Sequence, residues 1–271
     1  MGDMFPGGPA VPANGPPHAP AVVLIHGLGL NRDCWQWTAP ALLEAGFRVI
    51  AYDLYGHGGS ALPPAPPSLP LFSRQLSGVL DYFGCSQAAI VGFSLGGMIA
   101  RRFAQDHPHR AAATAILFSP HKRTAEAQAA ILKRVELARE NGPRSTVEAA
   151  LERWFTEAHR DANPEQMDLV RSWVLANDPA VYHHIYRVLA DGIDEIVEPS
   201  PVLCCPALVM TGEEDFGNGP EMSRAIAAEI PGAELHILKG LRHMALAEDP
   251  QAVNAPLTDF LNRVCTGSAA K

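Results

Sequence analysis

The sequence predicts an α/β fold, a doubly wound and mostly parallel sheet with an inserted helical cap. Three observations carry this. Six short runs are apolar and β-rich, without the alternation of a half-exposed strand. Segments of helical period lie between them, the order that calls for a parallel sheet. Between the fourth and fifth runs the strands stop, and residues 121–199 read as helix alone.

The first run, AVVLIH at 21–26, ends in GLG. Asp33 is the expected N-cap of the helix that follows, and Gly46 its stop. FRVIAYD at 47–53 is the second run, followed by a helix over 73–84. AAIVGF at 88–93 is the third, followed by a helix over 96–108, and ATAILF at 113–118 is the fourth. PALVMTG at 206–212 and AELHILKG at 233–240 complete the sheet, with helices over 219–232 and 251–264. Four helical segments fill the insert. Ser145 and Glu148 have capping-box spacing, and Asn163-Pro164 and Asp178-Pro179 mark two further helix starts. The expected organisation is an irregular Pro/Gly-rich lead-in at 1–20, a core from 21–120 and 200–271, and a cap or lid at 121–199.

Composition bounds the function. A formal net charge of −8 with no Lys/Arg block argues against nucleic acid or an anionic membrane surface as partner. No run approaches the roughly 20 apolar residues of a membrane span. The first residues lack the charged and apolar regions of a signal peptide. Five scattered cysteines fit reduced thiols, with Cys204 and Cys205 expected to enter a buried strand. The expectation is a cytoplasmic protein. No metal-ligand spacing or phosphate loop is present, so no cofactor is implied, and the sequence leaves the oligomeric state open.

The chemistry concentrates at strand ends, where such sheets bind ligands. GFSLGG, Gly92 to Gly97, matches G-x-S-x-G at a strand–helix junction. There the turn strains the backbone, small residues must flank it, and the Ser94 hydroxyl stands clear as a nucleophile. Leu95 N–H, at a helix N-terminus, can meet the negative charge that develops on a carbonyl oxygen. The HGLG loop offers Leu28 N–H as the second oxyanion donor, with His26 bracing the loop. His57 reads as a turn residue. Of eleven histidines, His121 and His243 remain as candidate bases. His243 lies between the last strand and the last helix, on the same sheet edge as Ser94. The acid must come from TGEEDFG, since the loop after the fourth strand, SPHKR, carries no carboxylate.

HGLG, DLYGHGGS, GFSLGG, TGEED and GLRHMALAEDP stand in an order that resembles the α/β-hydrolase-fold serine hydrolases, over about residues 21–120 and 200–265. That family's G-x-x-D spacing selects Asp215 over Glu213 and Glu214, and implies a Ser94–His243–Asp215 triad. The insert resembles, less specifically, the cap of the 3-oxoadipate enol-lactonases and related small carboxylesterases. Such relatives usually begin with a β-hairpin, which this lead-in does not suggest. Fold relatives that attack carbon use Asp at the nucleophile position, so Ser94 implies acyl transfer instead. A small-molecule ester or lactone is the expected substrate. Perhydrolysis or C–C cleavage by the same triad, and a ligand-binding receptor with little turnover, are the alternatives. Trp154 and Arg187 in the cap are the expected substrate contacts. An enol-lactone of a diacid would need a cation, for which Arg153, Lys122 and Arg123 are further candidates.

Overall fold

A computed structural model describes residues 14–267. The lead-in before residue 14 lies outside the described residues. Asn14 itself bridges antiparallel to Val49 through two backbone hydrogen bonds, of 3.1 and 2.9 Å.

Six parallel strands form the sheet: β1 (Ala21–Ile25), β2 (Arg48–Tyr52), β3 (Ala88–Phe93), β4 (Ala111–Leu117), β5 (Ala207–Gly212) and β6 (Glu234–Leu238), in the order β2-β1-β3-β4-β5-β6. The strand order reverses between β1 and β3, so the loops that follow these two strands face each other at a switch point. Both faces are covered. Val23, Ile25, Ile90 and Ile116 point into one core and Val22, Leu24, Val91 and Leu117 into the other. Two buried faces explain why the strands lack alternation.

Helices α1 (Ala39–Glu44), α2 (Leu69–Tyr82) and α3 (Leu95–Asp106) cross between the first four strands. Asp33 is not the cap expected of it. Asn31 accepts from Asp33 N–H and opens a 3-10 turn, Arg32–Trp37, before α1 begins. Ser68 caps α2, which starts earlier than the sequence suggests.

Between β4 and β5 run α4 (Ala125–Asn141), α5 (Val147–Trp154), α6 (Glu157–Ala162), α7 (Pro164–Leu175) and α8 (Pro179–Asp191). Asp178 caps α8 as expected, but the Ser145–Glu148 capping box does not form. Gly142, at φ 70°, turns the chain, the Ser145 hydroxyl donates to Gly142 O, and Glu148 pairs with Arg171 on α7. Arg101, buried on α3, donates to Pro120 O, Ile196 O and the Glu229 carboxylate, at 3.3, 2.7 and 3.0 Å. One guanidinium thereby ties the entry of the insert to its exit.

Beyond β5, α9 (Pro220–Ala228) leads to β6, and α10 (Ala245–Glu248) and α11 (Pro250–Leu261) follow it. The five cysteines are free; Cys204 is exposed and Cys205 half-buried, both ahead of β5 and outside it. No helix among the described residues is long and apolar enough to cross a membrane.

Candidate active site

Ser94 sits between β3 and α3 at φ 56°, ψ −113°, a conformation that L-residues rarely adopt. The turn is closed by contacts only glycine permits. A Cβ on Gly92 would lie 2.1 Å from Gly96 O, and one on Gly96 2.1 Å from Ile25 O. Ser94 N–H donates to Leu117 O at 2.8 Å, and the Ser119 hydroxyl donates to Ser94 O at 3.0 Å. The neighbouring strand therefore holds the strained residue from both sides.

The loop after β1 lies against this turn, with the Ser94 Cβ only 3.2 Å from where a Cβ on Gly27 would be. Leu28 lines the same cavity as Ser94, while Leu95 is fully buried at the first position of α3. Two buried histidines brace the loop. His26 Nδ1–H donates to Gly27 O at 2.8 Å and Nε2 accepts Leu54 N–H at 3.0 Å. His57 Nε2 accepts Gly29 N–H at 3.1 Å, with Nδ1 towards Tyr55 O at 3.3 Å. Their rings meet edge-on at 5.1 Å. Beneath them Asp53 accepts Arg32 N–H at 2.8 Å and Gly59 N–H at 3.0 Å. From sequence the brace falls to His26 alone. His57 shares it through a contact spanning 28 residues, which no local pattern signals.

Both histidines must stay neutral to accept these amides. Burial pushes His26 down to about 4, and burial with His26 alongside pushes His57 to about 3. The unfolded chain takes up these protons near the ordinary value of about 6.5. The stability that these histidines contribute is therefore complete above about pH 6.5 and is lost as the pH falls towards about 4. Thermal unfolding across this range should show a falling Tm, and a flat profile would contradict the neutral pair. Replacing His57 by Phe leaves Gly29 N–H unpaired and should cost about 1–3 kcal/mol, read from denaturant unfolding.

His243 and Asp215 face each other after β6 and β5. Nδ1 of His243 lies 2.6 Å from Oδ2 of Asp215, and both side chains are buried. Oδ1 of Asp215 accepts the backbone N–H groups of Gly217 and Asn218, each at 3.0 Å. The Asn218 side chain in turn donates to Phe118 O at 2.8 Å, anchoring the loop to the end of β4. Gly212 is what lets the two loops meet, since a Cβ there would lie 2.1 Å from Leu241 O. The other two acids have different partners. Glu213 accepts Gly240 N–H at 3.0 Å, and Glu214 lies 3.6 Å from the Arg242 guanidinium. His121 is not part of this arrangement. It bonds Glu229 at 2.8 Å, beside the Arg101 tie.

The His243 loop is also fastened to α5. Met244 N–H donates to Trp154 O at 2.8 Å, and Arg242 donates to Glu152 O and Phe155 O, each at 2.9 Å. Three aromatic rings surround the imidazole, Phe93 at 4.9 Å, Trp154 at 6.0 Å and Phe118 at 6.1 Å between centroids.

Ser94, Asp215, His243, Leu28 and Trp154 all line one cavity, which is open to solvent. Arg187 does not belong to it. It is exposed on α8 and lies 3.5 Å from Asp191, because the neighbouring Tyr186 takes the inward face of the helix. Lys122 is also exposed and pairs with Glu198 at 3.0 Å. Arg123 and Arg153 do line the cavity, as do Arg134, Tyr182 and Tyr186. Arg134 carries no sequence signal of this role, since it sits in an ordinary charged stretch of α4.

The chain belongs to the alpha/beta hydrolase fold family, whose model matches residues 20–250. Among characterised relatives it is similar to 3-oxoadipate enol-lactonase 2 of Acinetobacter baylyi, 26% identical over 90% of this chain and 89% of the relative. It is also similar to (E)-2-((N-methylformamido)methylene)succinate hydrolase of the same organism, 25% identical over 89% of each. Among solved structures it resembles the enol-lactonase from Burkholderia xenovorans, with a TM-score of 0.84, 26% identity, and coverage of 92% of this chain and 94% of that one.

Proposed function

We propose that the protein is a serine hydrolase of carboxylic esters or lactones of small molecules, acting through an acyl-enzyme. The observation that carries this reading is the buried 2.6 Å contact between His243 and Asp215 in the cavity that Ser94 lines. Asp215 accepts from Nδ1–H of His243, which leaves Nε2 as the base. Nε2 takes the Ser94 proton as Oγ attacks the acyl carbon. The N–H groups of Leu28 and Leu95 stabilise the alkoxide that forms. His243 then protonates the departing oxygen, and water repeats the sequence to release the acid and restore Ser94. With a lactone the departing oxygen stays tethered, and a single product leaves.

In this reading residues 121–199 form a lid over a core from 21–120 and 200–271. The relatives named for enol-lactone and succinate-derivative hydrolysis support the acyl-transfer class. The test is covalent trapping. A fluorophosphonate should add one adduct, located by peptide mass to Ser94, with parallel loss of p-nitrophenyl acetate hydrolysis. An adduct elsewhere, or hydrolysis that survives complete labelling, would overturn the proposal.

A further inference from the structure

The turn that carries the proposed donor Leu28 is held from the cap as well as from the core. Leu30 N–H donates to Gly27 O at 3.2 Å, Gly29 stands at φ 77°, and Leu28 is not at positive φ. These are the marks of a type II turn with Leu28 and Gly29 at its centre. Of the N–H groups at Leu28, Gly29 and Leu30, that of Leu28 has no partner among the described residues, as an oxyanion donor requires. Its direction follows from the two peptides around Gly29. Glycine has no side chain to restrict its own dihedrals, so they are set by what those peptides bond. His57 holds the peptide before Gly29, accepting its N–H at 3.1 Å. Asn177 holds the peptide after it, with Nδ2 donating to Gly29 O at 2.9 Å.

Asn177 lies in the insert, in the turn between α7 and α8, 148 residues from Gly29. Its Nδ2 also faces Trp173 O at 3.0 Å and Val174 O at 2.9 Å, in the last turn of α7. Three carbonyls around one nitrogen fix which way the amide points. The side chain is buried, and its Oδ1 has no partner among the described residues. A buried carbonyl without a donor is destabilising, and an apolar side chain would pack there without that penalty. The position therefore uses the donors of the amide. Two of the acceptors end a helix, a role that a shorter hydroxyl also fills. Reaching Gly29 as well is what asparagine adds.

We propose that Asn177 is a positioning residue for the oxyanion hole: it fixes Gly29 O and thereby aims Leu28 N–H at the alkoxide that forms when Ser94 attacks. The cap then shares in the catalytic geometry and is more than a wall for the substrate. This role rests on the proposed hydrolase reading, which supplies the alkoxide.

Two variants test it. Asn177→Ser keeps a hydroxyl for the α7 carbonyls but stops one bond short of Gly29 O, and Asn177→Leu keeps the volume and removes every donor. Each should lower kcat for p-nitrophenyl butyrate by about 10- to 100-fold and change KM by less than about twofold, since a displaced oxyanion donor is felt mainly in the transition state. Hexyl trifluoromethyl ketone reads the same donor without turnover. On its addition the Ser94 Oγ–carbon bond forms, the carbonyl π pair moves to the oxygen as an alkoxide, and the hydroxyl proton goes to His243. Its Ki should rise in step with the fall in kcat/KM, while Ki for hexyl methyl ketone, which Ser94 does not add to, should hold. Arg171→Gln, which loosens the cap at the Glu148 pair instead, should change neither.

Unchanged kcat and trifluoromethyl ketone affinity in both variants would overturn the positioning role, however far Tm falls. So would a loss carried by KM, or an equal loss in Arg171→Gln. Ester hydrolysis by the parent protein alongside any of these results would leave the hydrolase reading standing. A parent protein that hydrolyses no ester would sink the hydrolase reading and the positioning role with it.

Discussion

Replacing Ser94 by alanine is expected to reduce ester turnover by about 10⁶-fold while leaving the fold intact. The expectation of so large a loss comes from the unity of the proposed machinery. Without Oγ there is no acyl-enzyme, and His243 has no hydroxyl to activate. The expectation of an intact fold comes from the backbone. The elbow is held by Ser94 N–H to Leu117 O and by the Ser119 hydroxyl to Ser94 O, neither of which uses the Ser94 side chain. Alanine at φ 56° bears a strain similar to that of serine. Far-UV circular dichroism and Tm should therefore match the parent protein while p-nitrophenyl ester hydrolysis disappears. Retained hydrolysis in purified Ser94→Ala protein would exclude Ser94 as the nucleophile.

Asp215→Asn should lower turnover by about 10⁴-fold, the size of loss that follows when the corresponding acid of a serine protease becomes an amide. The amide keeps an oxygen for Gly217 and Asn218 N–H, so the loop should stay in place. What changes is the group facing His243. An amide NH₂ donates to Nδ1, which drives the imidazole proton to Nε2 and blocks the base. Glu214→Gln, by contrast, weakens only a contact of 3.6 Å to Arg242 and should change kcat by no more than a few-fold. The pair of variants is to be compared by kcat across pH. A large loss in Glu214→Gln with a small one in Asp215→Asn would move the acid to the neighbouring residue.

Most of the sheet is readable because β1 to β5 are buried on two faces, which makes their composition diagnostic, whereas the edge strand β6 is only partly buried. Each of the six runs lies within two residues of an observed strand boundary at its start. The strand–turn–helix context of Ser94 was readable for a related reason. Glycines are required two residues either side, and the clashes a Cβ would make at Gly92 and Gly96 show why. Other features depended on partners distant in sequence. Glu148 leaves its capping box for Arg171 on another helix, which local spacing does not reveal. Arg187 and Tyr186 are adjacent on α8, and only the packing of that helix on α4 decides which of them turns inward. The same packing brings Arg134 to the cavity. His57 takes its role from Gly29, on a different loop.

The three hydrogen bonds that the Arg242 guanidinium and Met244 N–H donate to carbonyls at the end of α5 have a practical consequence for redesigning specificity. Substitutions that lift α5 to admit a bulkier molecule would drag the proposed base with them, so gains in scope on that side would be taken out of rate. The α4 and α8 wall has no such attachment to the His243 loop among the described residues. Libraries confined to that wall should therefore separate recognition from chemistry, and they are where a new substrate range is best sought.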